Sequence, residues 1–299
     1  MNTGLRGAAA RLRHGRRLDR SRGGDVLMAL LILLIAAVMV LPLIYAVVNA
    51  IKPIEEFYLF PPRFFTAHPT ADNFLDLFAL AADSWVPFSR YVFNSVCVSV
   101  LTTGLYVVLA GMCAYVLSKH EFCGKKTLNR VIVLSMLFTS TIMSIPQYVI
   151  LSKLGMIDTF LVITVPALGS TMGVFLLKQT IDSFPDSILE SARLEGCSEP
   201  QVCWKIVMPS IKPGWITVMI LTFQNVWNNT AASMIFTEDR KVLPTMLTQL
   251  ASTATAGSTA ARAGVSAAAS LFVMIPPIVV FVLSQTQVLE TMASSGIKE

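Results

Sequence analysis

The chain has 299 residues, of which 54% are hydrophobic and only 14% charged, with a mean hydropathy of +0.66. Soluble domains carry about a quarter charged residues, so this composition excludes an ordinary soluble enzyme. A net charge of +5 would suit nucleic acid, but the placement of the 23 Lys and Arg points to membrane orientation instead.

Residues 1–25 hold seven arginines (Arg6, Arg11, Arg13, Arg16, Arg17, Arg20 and Arg22) and no apolar periodicity, which predicts a basic arm at an anionic inner leaflet. Six windows without Asp, Glu, Lys or Arg follow: 26–51, 91–118, 131–152, 159–177, 213–237 and 263–289. Crossing a bilayer takes about 20 helical residues, and a charge at mid-membrane costs about 3 kcal/mol or more. The windows therefore predict an all-α polytopic membrane protein with six transmembrane helices. The first window is too long for the apolar part of a cleaved signal peptide, and no clear cleavage site follows it.

With a cytoplasmic N-terminus, sixteen Lys and Arg fall inside and seven outside, which places both ends in the cytoplasm of a bacterial cell membrane. The outside segment 52–90 contains Pro53, Pro61, Pro62, Pro69 and Pro87, and reads as a turn-rich connection. A tight outside turn is expected around Gly155. Pro146, Pro166 and the pair Pro276-Pro277 predict kinks in the third, fourth and sixth spans, while Gly104, Gly111 and Ala114 predict close helix approach. The outer segment 238–262 ends in an Ala/Ser/Thr-rich run, and 290–299 forms the tail. Five cysteines (Cys97, Cys113, Cys123, Cys197 and Cys203) show no zinc spacing and read as packing residues.

The inside connection 183–212 carries the sharpest local signal. Pro185 opens a short helix, and Asp186 and Glu190 suit its early turns. Leu189 and Ala192 form an apolar side, and Glu190 with Arg193 makes an (i, i+3) pair. Gly196 ends the helix, and a Ser198/Gln201 capping box starts a second one that is expected to stop before Pro209. Physical chemistry alone gives this bracket two uses: a peg for a partner's groove, or an amphipathic helix resting on the membrane interface.

The run Glu190-Ser191-Ala192-Arg193-Leu194-Glu195-Gly196, followed by Ile206-Val207-Met208-Pro209, resembles the EAA loop of binding-protein-dependent ABC importer permeases. Ser191, Glu195 and Met208 replace the usual Ala, Asp and Leu. Further stretches resemble the carbohydrate-uptake, MalG-like branch: Pro61-Pro62, Pro69-Thr70 with Asn73-Phe74, Arg90-Tyr91 with Asn94-Ser95, Ala114-Tyr115 and Leu154-Gly155. Trp227-Asn228 belongs to the same set, although Asn229-Thr230 stand where that branch usually has Asp and an aromatic. The resemblance implies the type I importer permease fold, with 190–196 as the coupling helix seated in a cleft of an ATPase subunit. It also implies a second homologous permease, two ATP-binding subunits, an extracytoplasmic solute-binding protein and a sugar substrate.

The chain shows no phosphate-binding glycine loop, and its histidines (His14, His68 and His120) lie outside the windows, so no metal or catalytic cluster is expected. No cofactor is expected on this chain, ATP and magnesium being used by the partners that the resemblance implies. Absence of charge within the windows leaves proton or sodium coupling without a carboxylate, which disfavours a secondary transporter. Gln224, Asn225, Trp227, Asn228 and Asn229 make the fifth span unusually polar. Amides and an indole suit a neutral sugar in a substrate pathway, and they equally suit interhelical hydrogen bonding. An ABC permease for a non-sugar solute is the alternative reading.

Overall fold

The computed structural model describes residues 22–82, 85–138, 140–253 and 259–295, and among these no β-strand occurs. The arginines of the arm before residue 22, the central part of the Ala/Ser/Thr-rich run and the terminal Gly-Ile-Lys298 lie outside the described residues.

The helices are α1 (Arg22–Ala50), α2 (Ile54–Phe57), α3 (Asp72–Ala82), α4 (Phe88–Lys119), α5 (Lys125–Ser135), α6 (Ser140–Lys153), α7 (Leu161–Leu168), α8 (Thr171–Asp182), α9 (Asp186–Leu194), α10 (Glu199–Ser210), α11 (Lys212–Trp227), α12 (Leu243–Thr253) and α13 (Thr259–Ser295). Among the described residues, four stretches are long and apolar enough to cross a membrane: Val26–Ala50, Phe88–Lys119, Leu161–Asp182 and Ala263–Thr286. A fifth pair, α10 and α11, meets at 86°.

Two windows differ from straight spans. The window 131–152 is divided between α5 and α6, because Met136, Leu137 and Phe138 donate to carbonyls three residues back and tighten the last turn of α5. The window 213–237 is helical only to Trp227, where the amide-rich sequence gives way to a 3₁₀ turn at Thr230–Met234.

The prolines expected to kink the spans lie within helices. Pro146 sits inside α6, and α13 runs on through Pro276 and Pro277. In the fourth span the break comes at Gly169-Ser170, three residues beyond Pro166. There Tyr106 Oη donates to the Ser170 carbonyl at 2.7 Å, satisfying an acceptor that the broken helix releases.

Gly104 does not mediate close approach, since a Cβ there would meet nothing within 4 Å, whereas one at Gly111 would touch the Met208 side chain at 3.0 Å. Gly173 is tighter than Gly111, since a Cβ there would lie 2.7 Å from Tyr106 Cε1 and 2.8 Å from Val218 Cγ1. Only glycine lets α4, α8 and α11 meet there.

Helix α4 is central. Its inward side carries Tyr91, Ser95, Val98, Thr102, Tyr106, Ala110 and Ala114, residues three or four apart and all buried. It packs against α8 and α11. By contrast α1 keeps most of its apolar surface outward, with Val48, Asn49 and Ala50 buried at its C-terminal end, and rests against α13. At the C-terminal end of α1, Asn73 Nδ2 donates to the carbonyls of Ala50 and Lys52 at 3.0 and 2.8 Å, and the buried Glu56 accepts from the Ala67 and His68 N–H groups. The proline-rich segment is thereby closed into a fixed connection. The expected turn at Gly155 is present, with φ +65° and Met156 donating to Leu151.

Candidate functional site: a coupling bracket and a polar cavity

The bracket is built on the end of the molecule where α4, α8 and α10 converge. Pro185 (φ −62°, ψ 129°) directs the chain into α9, whose Leu189 and Ala192 are buried among Tyr115, Leu177, Ile181, Val202 and Val207. At its end Gly196 takes φ +85°, Gly196 N–H donates to the Arg193 carbonyl at 3.0 Å, and Cys197 N–H donates to Ala192 at 3.1 Å. These two bonds form a Schellman stop, satisfying the last carbonyls of α9. Gln201 Oε1 then accepts from Ser198 N–H at 3.0 Å and starts α10, as the capping-box spacing predicted.

Pro209 lies inside α10, contrary to expectation. The helix widens to a π turn over Val202–Val207, with Met208 donating to Cys203, and so absorbs a proline that an α-helical register would reject.

Packing sorts the seven residues of the motif. Ala192 is buried; Glu190, Ser191, Arg193, Leu194, Glu195 and Gly196 are exposed, with Leu194 at 89%.

The expected Glu190–Arg193 pair does not form. Arg193 Nε instead donates to Glu199 Oε1 at 2.8 Å, because the Gly196 corner brings the start of α10 back beside α9. Tyr115 Oη also donates to Glu199 at 2.7 Å, and His120 Nε2 lies 3.2 Å from the same oxygen. Hydrogen bonding to Glu199 holds the Arg193 guanidinium above its already high ordinary pKa.

The end of α4 grips the other flank. Lys119 donates to the Phe184 carbonyl at 2.8 Å and Asp186 at 2.7 Å, and Ser118 donates to Asp182 at 2.6 Å. Sequence reading missed this set (Tyr115, Ser118, Lys119, His120 and Glu199), since its partners lie 64 to 84 residues apart and leave no local pattern.

A polar cavity of about 530 Å³ opens between α6, the α7–α8 break and the end of α11. Asn225, Asn228 and Asn229 line it, joined by Ser144, Gln147, Ser170 and Ser233, and no charged side chain contributes. Gln224 and Trp227 are not among its lining residues. Gln224 is half-buried, and its carbonyl accepts from Asn228 Nδ2 at 3.1 Å. Trp227 is 3% exposed, stacks on Phe223 at 5.8 Å and donates Nε1 to the Val273 carbonyl at 3.0 Å. In this conformation its indole joins α11 to α13. Ser144, Gln147 and Ser233 were missed as lining residues, because isolated hydroxyls and amides are common in membrane helices.

Residues 107–291, more than half of the chain, match the family described as the binding-protein-dependent transport system inner membrane component. The chain belongs to this family of importer permeases.

Among relatives of the permease, the inner membrane ABC transporter permease protein YcjP of Escherichia coli K12 is 27% identical over 86% of this chain and 90% of its own. The arabinooligosaccharides transport system permease protein AraQ of Halalkalibacterium halodurans is 24% identical, covering 88% and 93% of the two chains. A solved structure, that of a bacterial ABC transporter involved in the import of the acidic polysaccharide alginate, superposes with a TM-score of 0.71 at 22% identity. It covers 89% of the permease and 98% of that chain, and the likeness extends the family's fold to nearly the whole permease. The expectation of an ABC importer permease fold is thereby met, and the bracket falls within the matched region.

Proposed function

We propose that this permease is one of two related permease subunits of an ATP-driven importer in a bacterial inner membrane, carrying a neutral sugar or oligosaccharide through six crossings with both termini in the cytoplasm. Two ATP-binding subunits dock on the exposed side of α9 in the two permeases, and an extracytoplasmic binding protein delivers the solute. ATP binding draws the ATPases together and displaces the bracket, and the spans rock between two accessibilities. ATP and magnesium stay with the partners.

The observation that carries this reading is the two-sided chemistry of α9. Leu189 and Ala192 are buried against the spans, while Glu190, Arg193 and the 89%-exposed Leu194 face away from them. Such a helix transmits force between its own spans and something docked outside.

The substrate class rests on two supports. The relative AraQ is named for arabinooligosaccharides. The cavity presents amides and hydroxyls without a charge, which suits uncharged hydroxyl-rich solutes. A second reading, a non-sugar solute, is favoured by a 22%-identical relative named for sn-glycerol-3-phosphate transport. An anionic solute calls for Lys or Arg, and this cavity lining has neither.

The test is uptake by the reconstituted complex of radiolabelled neutral oligosaccharides against glycerol 3-phosphate, with and without ATP. ATP-dependent accumulation of a neutral sugar supports the proposal, and preference for the phosphate overturns the substrate class.

A further inference from the structure

Helix α4 is held at both ends by side chains that reach different parts of the molecule. At the bracket end Tyr115, Ser118 and Lys119 bind Glu199, Asp182 and Asp186. At the far end Asn94 Nδ2 donates to the carbonyls of Asp239 at 2.8 Å and Lys241 at 3.1 Å. Ser95 Oγ accepts the Leu243 N–H at 2.6 Å, and Tyr91 Oη donates to Glu238 at 3.1 Å. Asn94 and Ser95 are only 3% and 2% exposed, so these bonds are sheltered from water. From Tyr91 to Tyr115 the helix rises about 36 Å, at 1.5 Å per residue.

The segment gripped at the far end adjoins the polar cavity. Ser233 and Met234 line the cavity, and just beyond them Phe236 and Thr237 donate their N–H groups to Asp158, both at 2.8 Å. Between its ends α4 also binds the broken fourth span, through Thr102–Thr164 at 2.9 Å and Tyr106–Ser170. Of the three helices longer than 20 residues, α1 and α13 contain proline and α4 does not. An unbroken ladder of backbone hydrogen bonds makes α4 the stiff element among them.

We propose that α4 acts as a push-rod, with Asn94 and Ser95 as positioning residues that make the far segment 236–243 follow displacement of the bracket. The inference rests on the proposed docking of ATPase subunits at α9. It adds a route by which their movement reaches the far side of the cavity, through a connected element gripped at both ends.

The experiment uses the full importer in nanodiscs, with Phe236→Cys introduced after the five native cysteines are replaced by serine or alanine. Labelling of position 236 by a soluble maleimide is compared with and without ATP and vanadate, and uptake per ATP hydrolysed is measured in proteoliposomes. In the parent, trapping with ATP and vanadate changes the labelling rate. Asn94→Asp, which removes the amide donor at nearly constant shape, abolishes that change. It also lowers uptake per ATP at least tenfold while hydrolysis stays within twofold. If Asn94→Asp fails to insert, Ser95→Ala decides, with the same direction and smaller size. Retained ATP-dependent labelling in these variants overturns the push-rod, as does a parallel fall of uptake and hydrolysis. A parent that imports sugar with no change at position 236 also overturns the push-rod and leaves the proposed function standing. A parent that neither binds an ATPase nor imports any solute overturns the proposed function itself.

Discussion

Replacing Gly196 tests the bracket at its geometric centre. The residue sits at φ +85°, and a Cβ there would meet nothing within 4 Å, so any penalty comes from backbone conformation and not from a clash. A left-handed L-residue costs about 1–2 kcal/mol, with β-branched residues at the upper end and Asn near the bottom. That range corresponds to an approximately 5- to 30-fold loss of the Schellman-closed population. Without closure the bonds from Gly196 to Arg193 and from Cys197 to Ala192 open, and Glu199 leaves its place beside Arg193. Gly196→Val is therefore expected to lower uptake about 5- to 30-fold or more, Gly196→Ala less, and Gly196→Asn least. Uptake in intact cells is the assay, with membrane insertion checked by protease protection. Wild-type uptake by Gly196→Val, or equal loss in Gly196→Asn, would refute the reasoning.

Further outcomes follow from the two sites. Glu199→Gln keeps an acceptor for Tyr115 and loses the negative charge that pairs with Arg193. Both ion-pair partners are more than a third exposed, so thermal stability should change by less than about 1 kcal/mol while uptake per ATP falls. Asn225→Ala and Asn228→Ala should lower uptake at limiting sugar about 2- to 13-fold, from 0.5–1.5 kcal/mol per hydrogen bond, with folding intact. Trp227→Ala should instead reduce the yield of folded protein, since that indole is packed and bonded to Val273. Hydrogen bonds from Thr237 hold the Asp158 carboxyl below its ordinary pKa. For a depressed carboxylate the stabilisation is present above the unfolded value, about 3.9, and is lost as pH falls through the lower folded value. Relative to a free thiol labelled at the same pH, labelling at position 236 should thus be constant between pH 7 and 5, and a transition of that ratio near pH 6 would contradict this.

The membrane class, the windows that became α1, α4 and α13, and the whole Gly196 corner were legible because each rests on local chemistry: charge-free length, a glycine, a cap. The break at 136–138 was not legible, since no proline or glycine marks it and every residue there suits an apolar helix. Pro209 misled because a local rule for α-helices ignored the π turn that accommodates it. Glu199 was passed over in favour of Glu190 as partner of Arg193, because helix spacing counts only neighbours along one helix, and the corner folds a second helix back. In the fifth span the five polar residues were recognisable together. Their division into cavity-facing asparagines and a packed tryptophan depends on which neighbours α6 and α13 supply.

Leu194 offers the most direct test that this permease borrows its energy through α9. A photo-crosslinking amino acid replaces Leu194, the most exposed apolar side chain of the bracket, and the assembled importer is irradiated in native membranes. Docking at the bracket predicts a covalent product with the ATP-binding subunit, whose yield changes with ATP. Products with lipid alone, in a complex that still imports its solute, would contradict it.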